Sequence, residues 1–230
     1  MNLSRVFALP LVSVALTVSW YAIALGVHRR WRVIPPIVGG CLPIMVCLWL
    51  MREPYSEYNR GGSALTWWLG PATVALAVPM YRNGLVLRGI LHRISLAVMI
   101  GAVVGMVVAG GSAWLLGAPL PIIMSTIPKS VTTPIAIEVC QQLQGLPQIT
   151  IAMVILTGVL GATFGPSLLK LVGVRNDRAI GAAIGTSSHG IGTASLIRHS
   201  EMQSAVSSWA MAAAGVFTSA LASLLARILR

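Results

Sequence analysis

The sequence predicts an all-α, polytopic integral membrane protein. Three observations predict it: 56% of the 230 residues are hydrophobic, only 9% are charged, and uncharged stretches recur at 6–27, 33–51, 61–81, 94–128, 139–169, 179–197 and 202–226. A soluble domain carries about 25% charged residues, and a bilayer crossing needs about 20 mostly apolar ones. The mean hydropathy of +0.84 agrees. The whole of 1–230 reads as one membrane domain.

The elements follow in order. Stretch 6–27 lacks a small-x-small cleavage site before His28, so it reads as a first span rather than a cleaved leader. The segment 28–32 then carries three arginines, and arginines gather again at 82–93 and 170–178 and in the tail at Arg227 and Arg230. An excess of lysine and arginine marks cytoplasmic loops. The net charge of +11 is therefore a topology signal, and the chain has no soluble domain that could hold nucleic acid. Spans alternate sides only if 33–51, 61–81, 94–116, 148–169, 179–197 and 202–226 cross while 119–142 enters and leaves on one side. Seven spans and one re-entrant segment result, with the N-terminus outside and the C-terminus in the cytoplasm; the alternative is eight spans with both termini on one side. A shift of about 115 positions carries 6–27, 33–51, 61–81 and 94–114 onto 121–142, 148–166, 176–196 and 209–229. This suggests inverted repeat halves, 1–115 and 116–230, as in secondary transporters.

Three segments break the apolar pattern. Gly70, Pro71, Thr73 and Pro79 interrupt an uncharged stretch and read as a helix break or as tolerated kinks. Pro128-Lys129-Ser130-Val131-Thr132-Thr133-Pro134, followed by Glu138, is the costliest, because an ionisable residue at membrane depth is a functional-site hypothesis by default. Lys129 offers a cation with three donors. With Ser130, Thr132 and Thr133 it suits a small carboxylate. The bland account has Lys129 snorkelling to water with Glu138 as its neutralising partner. The third segment holds Gly185, Thr186, Ser187, Ser188, His189, Gly190, Gly192 and Thr193. Glycines allow close backbone approach, and the polar run suits a lined pathway in which His189 could carry a proton. Tight helix packing through small residues is the competing account. Gly101, Gly105 and Gly110 read as a packing face.

No enzyme is expected. The single aspartate, Asp177, lies in a loop, and no phosphate loop or nucleotide fingerprint is present. Cys41, Cys47 and Cys140 are odd in number and lack ligand spacing, so they read as packing residues, with no metal and no cofactor.

The runs Gly70–Pro79, Pro128–Ala136, Gly158 through Gly165-Pro166, and Ser188–Thr193 resemble those of the LrgB/CidB family of bacterial membrane proteins, which includes a plastid glycolate/glycerate transporter. At position 190 this chain has glycine where alanine is common in the family. The resemblance implies a multi-pass protein of the bacterial inner membrane and a small LrgA/CidA-like membrane partner, in a homo- or hetero-oligomer. It also implies two competing functions. One is transport of small monocarboxylates such as glycolate, glycerate or pyruvate. The other is a holin/antiholin-like control of murein hydrolase export and lysis. The site chemistry favours the first, with Lys129, Ser130, Thr132, Thr133, Ser187, Ser188, His189 and Thr193 as substrate-binding candidates.

Overall fold

The computed structural model describes residues 9–31, 36–68, 71, 74–75, 77–84, 88–197 and 199–228; the side chains of 31, 66, 77, 79 and 80 lie outside that description. The chain is all-α, and no strand occurs among the described residues. Among the described residues ten helices run in order: α1 Pro10–Trp31, α2 Pro36–Leu50, α3 Tyr55–Trp67, α4 Ala77–Arg82, α5 Leu91–Leu115, α6 Leu120–Thr126, α7 Thr133–Gln142, α8 Pro147–Leu171, α9 Asp177–Leu196 and α10 Glu201–Ile228. Four are long and apolar enough to cross a membrane: α1 (over Pro10–Arg30), α5, α8 and α10. Large apolar side chains such as Val107, Leu156 and Val216 face outward from them, as expected where lipid rather than water is the solvent.

The helices form two compact units, 1–74 and 75–230. In the first, α1 packs on α2 and α3. Ile44 and Leu48 are buried against Val12, Leu16, Trp20 and Tyr58, and Thr17 shares a 2.6 Å hydrogen bond with Tyr58. The predicted 61–81 span is not one described helix. α3 already begins at Tyr55, where a Tyr55–Asn59 hydrogen bond and a Glu57–Arg60 pair support it. Gly70 and Thr73 lie outside the described residues, as does the side chain of Pro79. Pro71 is at a helical position.

The second unit is built from two hairpins held among three long helices. Hairpin 1 is α6, a break at 127–132, and α7. The prolines explain it: Pro121, Pro134 and Pro147 each occupy the first turn of a helix, where a missing N–H costs nothing. Hairpin 1 runs down α5. Ile123 and Ile127 meet Gly110, Thr126 donates to the Ala109 carbonyl, and Ser130 lies against Gly105. It then returns, because Leu146 N–H donates 2.7 Å to Ser125 Oγ and Thr150 donates 2.9 Å to the Ser125 carbonyl. The expected re-entrant shape of 119–142 is therefore what the chain adopts. Gly105 is ten residues from Leu115 and fourteen from Leu91, about 15 and 21 Å at 1.5 Å per residue. The tip thus stops near the middle of α5.

α9 corrects the expectation for 179–197, which was read as a span. The helix breaks at Ser188 (φ −129°, ψ 15°) and His189 (φ 41°, ψ −140°), and the chain turns back. Leu196 near its end is buried with Ile180 and Ile184 near its start. Asp177 at the start accepts hydrogen bonds from Ser200 (2.7 Å) and Gln203 (2.8 Å), which follow its end. A straight 20-residue helix would hold its ends about 30 Å apart. This is hairpin 2. The physical cause is small residues: Gly185, Gly190 and Gly192 flank the break, and a Cβ on Gly192 would collide with Ser188 and Ile184.

α10 orients the two hairpins. Along it in order, Gln203 and Ser207 meet Gly181 and Gly185, Met211 meets Gly190, Gly215 meets Ile135, Ala222 packs with Val139 and Leu143, and Ser223 bonds Gln142. The base of hairpin 2 is therefore at one end of this 28-residue helix and the base of hairpin 1 at the other. The tips meet in the middle, at residues one turn apart. Loop 172–176 and the C-terminal end of α10 consequently lie at opposite ends of the bundle. The charge reading had placed both on one side; it did so by counting α9 as a crossing.

Candidate functional site

The two tips converge on α8 and α5. Val131 of tip 1 is buried with Ala136 against Val154 of α8. The carbonyl of the same Val154 accepts a 2.9 Å hydrogen bond from His189 Nε2 in tip 2. On α5, Gly105 lies beside Ser130 and Gly101 beside Thr186 Cγ2. Residues four apart share a helix face, about 5–6 Å from each other, so Ser130 and Thr186 are neighbours across that glycine face. Polar groups from both breaks therefore surround one location at mid-bundle.

Burial and bonding divide the predicted residues into two sets. Lys129 is half-buried, donates to Ser130 Oγ at 3.2 Å, and makes no ion pair among the described residues. Glu138 is exposed and does not pair with it, so the neutralising partner of the bland account is absent. Thr132 and Thr133 are half-buried, and the Thr132 side chain, though at the helix N-cap position, makes no capping bond. Pro134 is exposed in the first turn of α7. Ser187 is exposed and bonds the Ala183 carbonyl and Ser188.

The other set holds the backbone. Ser188 and His189 are almost wholly buried, 1% and 3% exposed, and fill the space where Gly158 and Gly161 lack side chains. Thr193 is fully buried, bonding the His189 carbonyl at 2.7 Å and Ser207 Oγ at 2.8 Å. Gly185 lies against the Ser207 backbone, with no room for a Cβ. A carbonyl only accepts, so Nε2 carries the ring proton toward Val154, and Nδ1 of neutral His189 is left as an acceptor. The residue sits in backbone space that glycine prefers, a strain worth about 1–3 kcal/mol and concentrated at functional sites.

Sequence reasoning missed Val154 and gave Gly158 and Gly161 no role of their own, and it left Thr186 out of the binding set. The signal was the spacing Gly158-x2-Gly161-x3-Gly165, one face of a helix that can accept another backbone. No group of His, Cys, Asp or Glu among the described residues could hold a metal ion. The cleft of about 270 Å³ beside Val103, Met106 and Leu225 is apolar and lies off the polar tips.

Fold and site together define a class: a polytopic α-helical membrane protein in which two opposed broken-helix hairpins bring a lysine, a histidine and hydroxyls together at mid-bundle. The chain belongs to the LrgB-like family, whose profile matches residues 17–228. It is 36% identical over 210 residues to the uncharacterized protein YwbG of Bacillus subtilis (strain 168), covering 90% of this chain and 93% of that one. It is 33% identical over 164 residues to the antiholin-like protein LrgB of Bacillus mycoides (strain KBAB4), covering 71% of each. An uncharacterized protein of Haemophilus influenzae is 33% identical over 212 residues, covering 90% of each. No solved structure matches the chain.

Proposed function

We propose that the protein acts in the antiholin-like role carried by the name of its Bacillus relatives, modulating murein hydrolase export and lysis from the inner membrane beside an LrgA/CidA-like partner. The observation that carries this is the 33% identity over 71% of an antiholin-like LrgB. The test is deletion of the gene and its re-expression in the host. An altered autolysis rate, restored by the gene and not by a Lys129→Gln copy, supports the role. Unchanged autolysis with and without the gene rejects it.

A second reading concerns the molecular activity, and the site geometry favours it: carriage of small monocarboxylates. Opposed broken helices that meet at mid-membrane are how secondary transporters build substrate sites. A half-buried ammonium without an acid partner among the described residues, bonded to Ser130 and followed by the Thr132 and Thr133 hydroxyls, suits a carboxylate. Internal inverted repetition belongs to the same reading. The spacing of apolar stretches in the sequence suggests an offset of about 115; within the second unit, Leu120–Leu171 and Asp177–Ile228 correspond at an offset of 57 (120 to 177, 171 to 228). At that offset Gly158, which meets His189, pairs with Gly215, which meets Ile135. Sidedness follows from charge. Arg88, Arg93, Lys170, Arg175 and Arg178 lie at the hairpin 2 end, whereas the end of α10 and the tail after it carry Arg227 and Arg230. The hairpin 2 base is accordingly cytoplasmic. Proteoliposomes loaded with labelled glycolate, glycerate or pyruvate test the reading: saturable, stereoselective flux supports it, and leakage graded only by solute size rejects it.

A further inference from the structure

The two hairpins are held very differently, and from this we infer that hairpin 1 is the moving gate of the tip site while hairpin 2 is its fixed wall. The inference rests on the transport reading and adds to it which element admits the ligand, and from which face.

Hairpin 2 is pinned along its whole length. Its base is clasped by Asp177 to Ser200 and Gln203. Its limbs lie against α10 at Gly181 and Gly185, with no room for a Cβ. Its tip is tied to α8 through His189 and Val154, and to α10 through Thr193 and Ser207. Lifting this tip would strand a buried carbonyl and two buried hydroxyls, which is expensive away from water.

Hairpin 1 is pinned at its base by Gln142 to Ser223 and part-way down, at the end of α6, by Ser125 to Leu146 and Thr150 and by Thr126 to Ala109. Among the described residues, the hydrogen bonds made by its tip residues 127–133 stay inside the hairpin: Lys129 to Ser130 through side chains, and Lys129, Val131 and Ala136 N–H to Thr126, Pro128 and Thr132 carbonyls. Pro128 and Pro134 have no N–H to lose. What holds the tip on α5 and α8 is apolar contact of Ile127 and Val131, at Gly110 and Val154. Apolar contact is non-directional, so the tip can slide or lift without orphaning a polar group. Its base lies at the end of the bundle opposite Arg88, Arg93, Lys170, Arg175 and Arg178, so the gate opens to the outer face.

Two cross-links test this. Gly110→Cys with Ile127→Cys joins tip 1 to α5, and Gly165→Cys with Ile184→Cys joins hairpin 2 to α8. Each pair is oxidised in proteoliposomes, verified by peptide mass, and assayed for labelled glycolate uptake before and after reduction. The 110–127 link should cut uptake at least tenfold, reversibly, and the 165–184 link should leave the oxidised-to-reduced ratio near one. Unchanged uptake with the 110–127 link, or loss with the 165–184 link alone, overturns the inference. A second readout needs no transport. An impermeant maleimide added outside should modify Ser130→Cys, and the 110–127 link should slow that reaction at least tenfold. Equal rates with and without the link overturn the gate whatever the substrate. Absence of saturable uptake in the unlinked protein, with the maleimide result intact, rejects the transport reading and leaves the gate standing.

Discussion

Lys129 and His189 show how two residues of similar charge potential serve different ends. Lys129 stands half-buried at a break with one hydroxyl for company, and keeping a cation at membrane depth costs about 2.5–3.5 kcal/mol on insertion scales. If it binds a carboxylate, Lys129→Gln should raise the apparent KM of a carried monocarboxylate at least tenfold, about 1.4 kcal/mol. Lys129→Arg should recover part of that loss, since a planar fork fits a small cavity less well than a point charge. Uptake kinetics check both. His189 is buried and bonded to Val154, in backbone space disfavoured for any side chain. His189→Ala should lower the melting temperature of detergent-purified protein as well as its flux, because a buried carbonyl loses its donor at about 1–3 kcal/mol. Loss of flux at unchanged melting temperature would make the ring a ligand group alone.

At the scale of elements, the hairpins differ in how far the sequence betrays them. Hairpin 1 was legible because its signals are local. Prolines cannot continue a helix, and Lys129 with three hydroxyls cannot face lipid. Hairpin 2 was not, because 179–197 is uncharged and long enough to cross, and no proline marks its turn. Its fold-back depends on partners far away in the chain: Gly158 and Gly161 on α8, which leave space for Ser188 and His189, and Ser200 and Gln203, which hold Asp177. Periodicity within α9 cannot report those. The packing predicts that Gly161→Ala, whose Cβ would overlap the Ser188 side chain, destabilises by about 1–3 kcal/mol through overpacking. Thermal unfolding in detergent measures it. The clasp predicts a pH dependence. Hydrogen bonds from Gln203, then Ser200, hold the Asp177 carboxyl below its ordinary value. Its contribution is therefore complete above the unfolded carboxylate pKa, about 3.9, and is lost as pH falls through the lower folded value. Asp177→Asn should remove about 1 kcal/mol at pH 7 and flatten the acid limb of the stability profile; an unaltered acid limb would show the clasp to be idle.

At the scale of the whole molecule, one misread crossing reverses the position of everything after it. With α9 as a span, loop 170–178 and the end of α10 share a face; with α9 folded back, they are separated by the length of a 28-residue helix, about 42 Å. The arginines allow either arrangement, since the tail contributes two, Arg227 and Arg230, which is weak against loops that carry several. Three exposed positions separate the alternatives: Gln144 at the base of hairpin 1, Val172 at the base of hairpin 2, and Ile228 at the end of α10. Each is replaced singly by cysteine, and intact cells are treated with an impermeant thiol reagent. Cysteines at 144 and 228 should label from outside, and a cysteine at 172 only after the membrane is opened. The pair 144 and 228 is the decisive one, because hairpin 1 and the end of α10 are joined directly by Ser223 and Gln142. If 228 is protected while 144 labels, α9 crosses the bilayer, the tips no longer enter from opposite faces, and the opposed-hairpin site falls with them.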